Sequence, residues 1–171
     1  MDAMTTVTPP YNVPAEATSL VSANGRVHVR PLRETDHAVW TQLWRGYLDF
    51  YKTQLSDAQY ALTWQRIHDA SEPQFGYLAE VAGQLEGLVH IIFHRSGWTA
   101  APSCYLQDLY VNPDARGTQV GKALIEHATR VAIAAGSSGV YWLTHETNTV
   151  AMRLYDRVAV KTGFLQYRKN S

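Results

Sequence analysis

The run from Val111 to His127, VNPDARGTQVGKALIEH, gathers Arg116, Gly117, Gly121 and Lys122 where an apolar strand-like stretch gives way to an amphipathic helix. The first turn of a helix carries N–H groups without intrahelical acceptors, and the helix dipole adds partial positive charge there. Glycines remove the side chains that would hold an anion away from that backbone, while Arg116 and Lys122 add charge at the rim. The chemistry such a junction suits is the binding of a phosphate or pyrophosphate. Two other phosphate loops do not fit. Gly117 and Gly121 enclose three residues, and Ala123 follows Lys122, so a Walker A loop would lack both its spacing and its metal-binding hydroxyl. A dinucleotide fingerprint would need glycine where Gln119 stands. The plain alternative is a solvated helix start with a convenient glycine.

Other residues could move protons. Asp108 alternates with Leu106 and Tyr110 in YLQDLYV, so the three are expected on one strand face, with Leu109 on the other. A carboxylate in so apolar a strand is costly unless used or paired, which makes Asp108 either a base or a structural hydrogen-bonding residue. Tyr155 follows Asn148 by seven residues, two helical turns, so both are expected on one helix face. Tyr155 is thus an acid candidate, or a core aromatic of an amphipathic helix. His145 and Glu146 are further base candidates, or loop and cap residues. His90 and His94 lie ~13 Å apart along one strand and cannot share a metal, so no metal is assigned. Cys104 has no recognisable His partner, and an ordinary thiol is the simpler reading.

The elements that must hold these groups follow from periodicity. RVHVRPL (26–32) alternates as a first strand. Helical spacing then runs through 33–55, with Thr35 or Asp36 as a possible cap, and again from Ser56 as N-cap to about 70. A hairpin over 75–94 turns at Gly83-Gln84, and 103–111 is the next strand. A helix over 117–136 stops at Gly136, 139–144 is a strand, a helix starts near Asn148, and FLQYRK (164–169) closes as a strand. That order implies one mixed α/β domain over residues 25–171, preceded by a flexible, proline-containing arm over 1–24.

Composition excludes some function classes. Fifteen basic and fifteen acidic residues cancel, so no nucleic-acid or anionic-membrane surface is expected and any phosphate chemistry must be local. The N-terminal stretch lacks a secretory signal pattern, and no apolar run approaches the ~20 residues of a membrane span. With the single Cys104 suited to a reducing compartment, a soluble cytoplasmic protein is expected.

These features together resemble the GNAT superfamily of acetyl-coenzyme A-dependent N-acetyltransferases. Its loop pattern, [Q/R]-x-x-G-x-[G/A], is matched by Arg116 and Gly121, with Gln119 where the middle glycine belongs and Gly117 as partial compensation. The resemblance spans about residues 26–169; YLQDLYV with the Asn148…Tyr155 spacing is similar to the spermidine/spermine branch, and VYWLTHETNTVAMRLYDRV (140–158) more closely resembles the Hpa2-like branch. A Gly-Phe pair that usually follows the tyrosine after four residues comes here after eight, at Gly163-Phe164. The resemblance implies a mostly antiparallel mixed sheet with helices on both faces. It implies acetyl-CoA as cosubstrate, a small primary amine as acceptor, and a homodimer paired through C-terminal strands. It also implies that Leu109, Tyr110 and Val111 line the pantetheine arm. The backbone of Arg116, Gly117, Thr118, Gln119, Val120, Gly121 and Lys122 would hold the pyrophosphate. Asn148 would bind pantetheine and Tyr155 protonate the leaving thiolate, with Asp108 as the base candidate. Gln107 stands where related polyamine enzymes carry a glutamate, and it cannot act as a base. The aromatic residues of the first two helices (Trp40, Trp44, Tyr47, Phe50, Tyr51, Tyr60, Trp64) are expected to divide between core and a cation-binding wall, with Asp49 and Asp57 nearby.

Overall fold

A computed structural model describes residues 11–169. Six strands form one sheet in chain order: β1 (Leu20–Val21), β2 (Val27–Pro31), β3 (Gln74–Val81), β4 (Gln84–His94), β5 (Ser103–Val111) and β6 (Val140–Tyr141). All neighbours are antiparallel except β5 and β6, which run parallel. The β3–β4 hairpin turns on Ala82 and Gly83, one residue before the expected pair, and both have positive φ (51° and 80°), as a two-residue hairpin turn requires.

Helices α1 (His37–Phe50) and α2 (Asp57–His68) cover one face of the sheet. Trp40, Leu43, Trp44 and Leu48 recur at helical spacing on α1 and are buried against Leu32, Leu78 and Leu88. Each such burial is worth about 1.5–3 kcal/mol. Ser56 caps α2 by accepting from the Gln59 N–H at 3.2 Å, as the sequence suggests. Asp36 precedes α1 but does not cap it. Its carboxylate is taken by the Arg30 guanidinium at 2.7 and 3.0 Å and by the Arg33 N–H at 2.8 Å, all near the sheet edge. A paired, hydrogen-bonded carboxylate outcompetes a simple cap here because Arg30 is itself buried.

The other face is covered by α3 (Val120–Ala134), with α4 (Thr149–Val158) beside it. Val120, Leu124, Ala128 and Val131 of α3 pack on Val29, Val89, Ile91 and Leu106. Gly136, at φ +75°, lets the chain leave α3 through a left-handed residue. The fold is therefore the mixed sheet with helices on both faces that the sequence implies.

Three stretches differ from expectation. Of the arm over 1–24, residues 1–10 lie outside the described residues. From Tyr11 onward the chain packs: Tyr11 stacks on Phe93 at 4.9 Å, Ala17 is buried, and Leu20–Val21 pairs with β2. The strand expected over 139–144 pairs with β5 only at Val140 and Tyr141. FLQYRK forms no strand: residues 164–169 are exposed and have no regular structure, since no edge of the sheet within this chain pairs with them. Helix α4 ends at Val158 and Ala159 is extended, so the chain turns away there, ahead of the Gly163-Phe164 pair.

Candidate active site

The loop between β5 and α3 leaves several main-chain N–H groups free at the start of a helix. Pro113–Ala115 makes a single 3-10 turn, Gly117 takes φ +80°, and Gln119 takes φ +70° in the left-handed region. The first helical bond of α3 is the Ala123 N–H to the Gln119 carbonyl at 3.0 Å. Among the described residues, no acceptor meets the N–H groups of Gly117, Gln119, Val120, Gly121 or Lys122. Five backbone donors thus lie free at the positive end of a 15-residue helix, an arrangement suited to an anion. Gln119 adopts the conformation that glycine would take more easily, at a cost of about 1–2 kcal/mol. Gly121 has a further reason to lack a side chain, because a Cβ there would come within 3.2 Å of Leu154 on α4. Arg116 is exposed close to Tyr110, and Lys122 shares its charge with Glu126 at 3.4 Å.

Just before that loop, β5 loses its neighbour. The parallel pairing with β6 stops at Tyr105–Tyr141, so Leu106 to Val111 have β4 on one side and, among the described residues, no strand on the other. An edge of this kind exposes main-chain groups to an extended, amide-bearing ligand.

The same strand bulges. His90 pairs with Asp108 but Ile91 pairs with Leu106, leaving Gln107 without an opposite residue. The extra residue inverts the alternation. Leu106 therefore sits in the α3-side core, while Asp108 and Tyr110 face α1, and the single face expected for all three is broken between Leu106 and Asp108. Tyr47 of α1 donates to the bulged Gln107 carbonyl at 3.4 Å. Burial, and then the nearby Asp108 carboxylate, raises the Tyr47 phenol well above its usual range.

Asp108 is 5% exposed, and its Oδ2 lies 2.9 Å from His90 Nδ1. The far nitrogen of His90 accepts from Trp40 Nε1 at 2.9 Å. His90, unassigned by sequence reasoning, is thus the direct partner of Asp108. No local pattern signals this; only the β4–β5 register brings them together. His94, four residues on, is exposed and bonds to Tyr141 Oη at 2.9 Å.

Phenols gather around this carboxylate. Burial raises the Tyr105 phenol, with Asp108, Tyr141 and Tyr51 adding to the effect. Burial pushes the Tyr155 phenol up to about 12, and Tyr51 adds to that shift too. Tyr51 ends α1 on one face of the sheet, whereas Tyr155 lies on α4 on the other. Tyr155 also packs edge-on to Trp142 at 5.4 Å, so it contributes to the core as well. Asn148 sits at the N-cap of α4 and donates its side-chain amide to Thr144 Oγ1 at 3.2 Å rather than capping the helix.

The remaining candidates fall elsewhere. His145 is exposed and bonds to Thr147 within its own loop, and Glu146 is exposed beside it. Cys104 is fully buried and its thiol is pushed up to about 12 by burial, which removes it as a nucleophile at neutral pH. Trp40 and Trp44 are core, while Tyr47 and Tyr51 face the site. Asp49 and Asp57 line one small cleft between α1 and α2, together with Arg45.

The model of the acetyltransferase (GNAT) family matches residues 38–159, most of this chain. The chain belongs to the GNAT acetyltransferase family. Like other GNAT proteins it is an acetyltransferase, and the family's cosubstrate is acetyl-CoA. It is similar to the D-amino-acid N-acetyltransferase HPA3 of Saccharomyces cerevisiae, 34% identical over 149 residues, covering 86% of this chain and 92% of the yeast protein. It is also similar to the N-acetyltransferase YhfO of Bacillus subtilis, 28% identical, covering 84% and 97%. An aminoglycoside acetyltransferase from an uncultured soil metagenomic sample shares the GNAT fold with a TM-score of 0.71 at 15% identity, covering 88% and 100%. The ribosomal-protein-alanine N-acetyltransferase of Brucella melitensis biovar Abortus 2308 does so with a TM-score of 0.71 at 21% identity, covering 85% and 99%.

Proposed function

We propose that this GNAT protein transfers acetyl from acetyl-CoA to the primary amine of a small molecule, by direct attack in a ternary complex. The α-amino group of an amino acid is the first acceptor to test. The observation that carries this reading is the continuity between the unpaired edge of β5 and the five acceptor-free amides of the following loop. The similarity to a D-amino-acid N-acetyltransferase supports the acceptor class.

In this reading the backbone from Arg116 to Lys122 holds the pyrophosphate, and Leu109, Tyr110 and Val111 pair with the pantetheine arm, with Asn148 on its other side. The thioester supplies an acyl group whose carbonyl develops negative charge during attack, and the main-chain donors of β5 stabilise it. Free alkylamines hold their proton up to about pH 10. The acceptor therefore attacks as the neutral amine, and Asp108, directly or through water, takes the proton that becomes acidic on the nitrogen as the C–N bond forms. Tyr155 keeps its hydroxyl proton through the neutral range, because burial holds it up to about 12, and it donates to the departing sulfur. The proposal also includes a cytoplasmic homodimer paired through the C-terminal segment. Among the described residues no helix is long and apolar enough to cross a membrane.

The test is release of coenzyme A with a panel of D- and L-amino acids, polyamines, arylamines and lysine peptides. Turnover on one small-amine class is expected, with Tyr155→Phe and Asp108→Asn each reducing kcat by roughly 10²-fold or more. Turnover on peptides alone would replace the acceptor class, and binding without turnover would replace the reaction.

A further inference from the structure

We propose that His90 is a positioning residue for Asp108, locked by Trp40 as a neutral hydrogen-bond donor that fixes the carboxylate's orientation; this rests on Asp108 acting as the base. The indole N–H of Trp40 can only donate. At 2.9 Å it therefore requires a lone pair on His90 Nε2, and the ring's one hydrogen is on Nδ1. That nitrogen lies 2.9 Å from Asp108 Oδ2 and donates to it. A second proton on His90 would set one N–H against another, so the Trp40 contact selects both the tautomer and the charge.

The surroundings leave little freedom. Trp40 and His90 are fully buried and Asp108 is 5% exposed, so water cannot readily replace either bond. The Trp44 ring stands edge-on to the imidazole at 5.5 Å and restricts its rotation. Three elements are joined by this relay: α1 through Trp40, β4 through His90 and β5 through Asp108. Two turns further along α1, Tyr47 grips the Gln107 carbonyl at the bulge. Helix α1 thus reaches the bulged part of β5 at two points, Asp108 by way of His90 and the Gln107 carbonyl directly. One carboxylate oxygen is committed to His90, and Tyr47 and Tyr105 lie close to the same carboxylate. The relay moves no proton; it fixes where the accepting oxygen points.

The substitutions that separate positioning from packing are His90→Asn, whose amide can keep the donor near Nδ1, and His90→Leu, which cannot donate. Kinetics with the acceptor identified above would be read with Asp108→Asn and Trp40→Phe alongside. We expect His90→Leu to lower kcat by roughly 10–100-fold with KM for acetyl-CoA unmoved, since the anion loop is not part of the relay. His90→Asn should recover to within about threefold of wild type, and Trp40→Phe should fall between. In the wild type, 15N-edited NMR should show the His90 proton on Nδ1, and Trp40→Phe should disturb that tautomer. Full kcat in His90→Leu with Asp108→Asn inactive would overturn the positioning role and leave the base reading intact. Full activity in Asp108→Asn would overturn both. Equal losses in His90→Asn and His90→Leu, with a raised KM for acetyl-CoA, would reduce His90 to a packing residue, and an Nε2 proton would remove the lock.

Discussion

His127 is a second fully buried imidazole, and its contrast with His90 shows what partners do for such a ring. His90 has both nitrogens satisfied, whereas neither nitrogen of His127 has a hydrogen-bond partner among the described residues. Its neighbours are the Tyr77 ring, edge-on at 4.4 Å from β3, and Arg130 on its own helix. Burial, and then Arg130, lowers the imidazole's pKa to about 4. A depressed value means the folded state binds fewer protons than the unfolded chain between pH 6.5 and about 4, so stability falls as pH falls through that window. The effect is on the order of 3 kcal/mol if the whole window is crossed. His127→Leu should therefore flatten the acid side of the stability profile. At pH 7 it should gain about 1–2 kcal/mol, because an unsatisfied polar group leaves the core. Urea titrations at pH 7 and pH 4.5 measure both; an unchanged acid slope would assign the acid sensitivity to another group.

At the scale of elements, the register of β4 against its neighbours decides where the chemistry sits. Gly87 lies on β4 beneath the start of α3, where a Cβ would meet Val120 Cγ1 at 2.6 Å, Leu124 Cδ1 at 3.0 Å and the Tyr110 carbonyl at 3.2 Å. The tightest contacts are to the side chains of Val120 and Leu124, both packed in the core, so relief requires repacking these residues of α3. Gly87→Ala should cost about 1–3 kcal/mol and also weaken acetyl-CoA binding, since Val120 opens the helix behind the anion loop. Thermal melts with and without acetyl-CoA separate the two effects: a lower Tm with an undiminished ligand-induced rise would uncouple the packing from the loop. This close approach was not legible in the sequence, although much around it was. Periodicity located α1 to α4 and β2 to β5, and the strand–turn–helix signal located the loop from Arg116 to Lys122 because its cause is local. The bulge at Gln107 has no such local cause. It comes from fitting β5 against β4 across the sheet, and it alone moves Leu106 away from the face of Asp108 and sets Asp108 beside His90. Trp40 is one of seven aromatics expected to divide between core and a cation-binding wall; it is core, and its indole N–H enters the proposed relay only because that register places His90 within reach.

For the whole molecule, the end of the chain is the part whose apolar side chains stay uncovered. Beyond α4, Val160, Phe164, Leu165 and Tyr167 are 79–92% exposed, and Tyr141 and Leu143 near the short β6 are 44% and 47% exposed. An apolar run of this length left in water beside a two-residue edge strand is an unfinished surface. The alternation that made FLQYRK look like a strand is consistent with pairing that needs an edge from outside this chain. In the proposed homodimer a second copy would supply one, and under two-fold symmetry each tail would meet the other's edge. Burying these side chains in both copies is worth on the order of 10–20 kcal/mol gross, against about 4–15 kcal/mol of lost translational and rotational freedom. Sedimentation equilibrium should accordingly give twice the 19.2 kDa chain mass, and truncation before Gly163 should return a monomer that still binds acetyl-CoA, since the loop from Arg116 to Lys122 does not include the tail. A full-length chain that sediments at 19.2 kDa would reject the pairing, whereas a truncated chain that remains dimeric would move the interface to another face of the sheet.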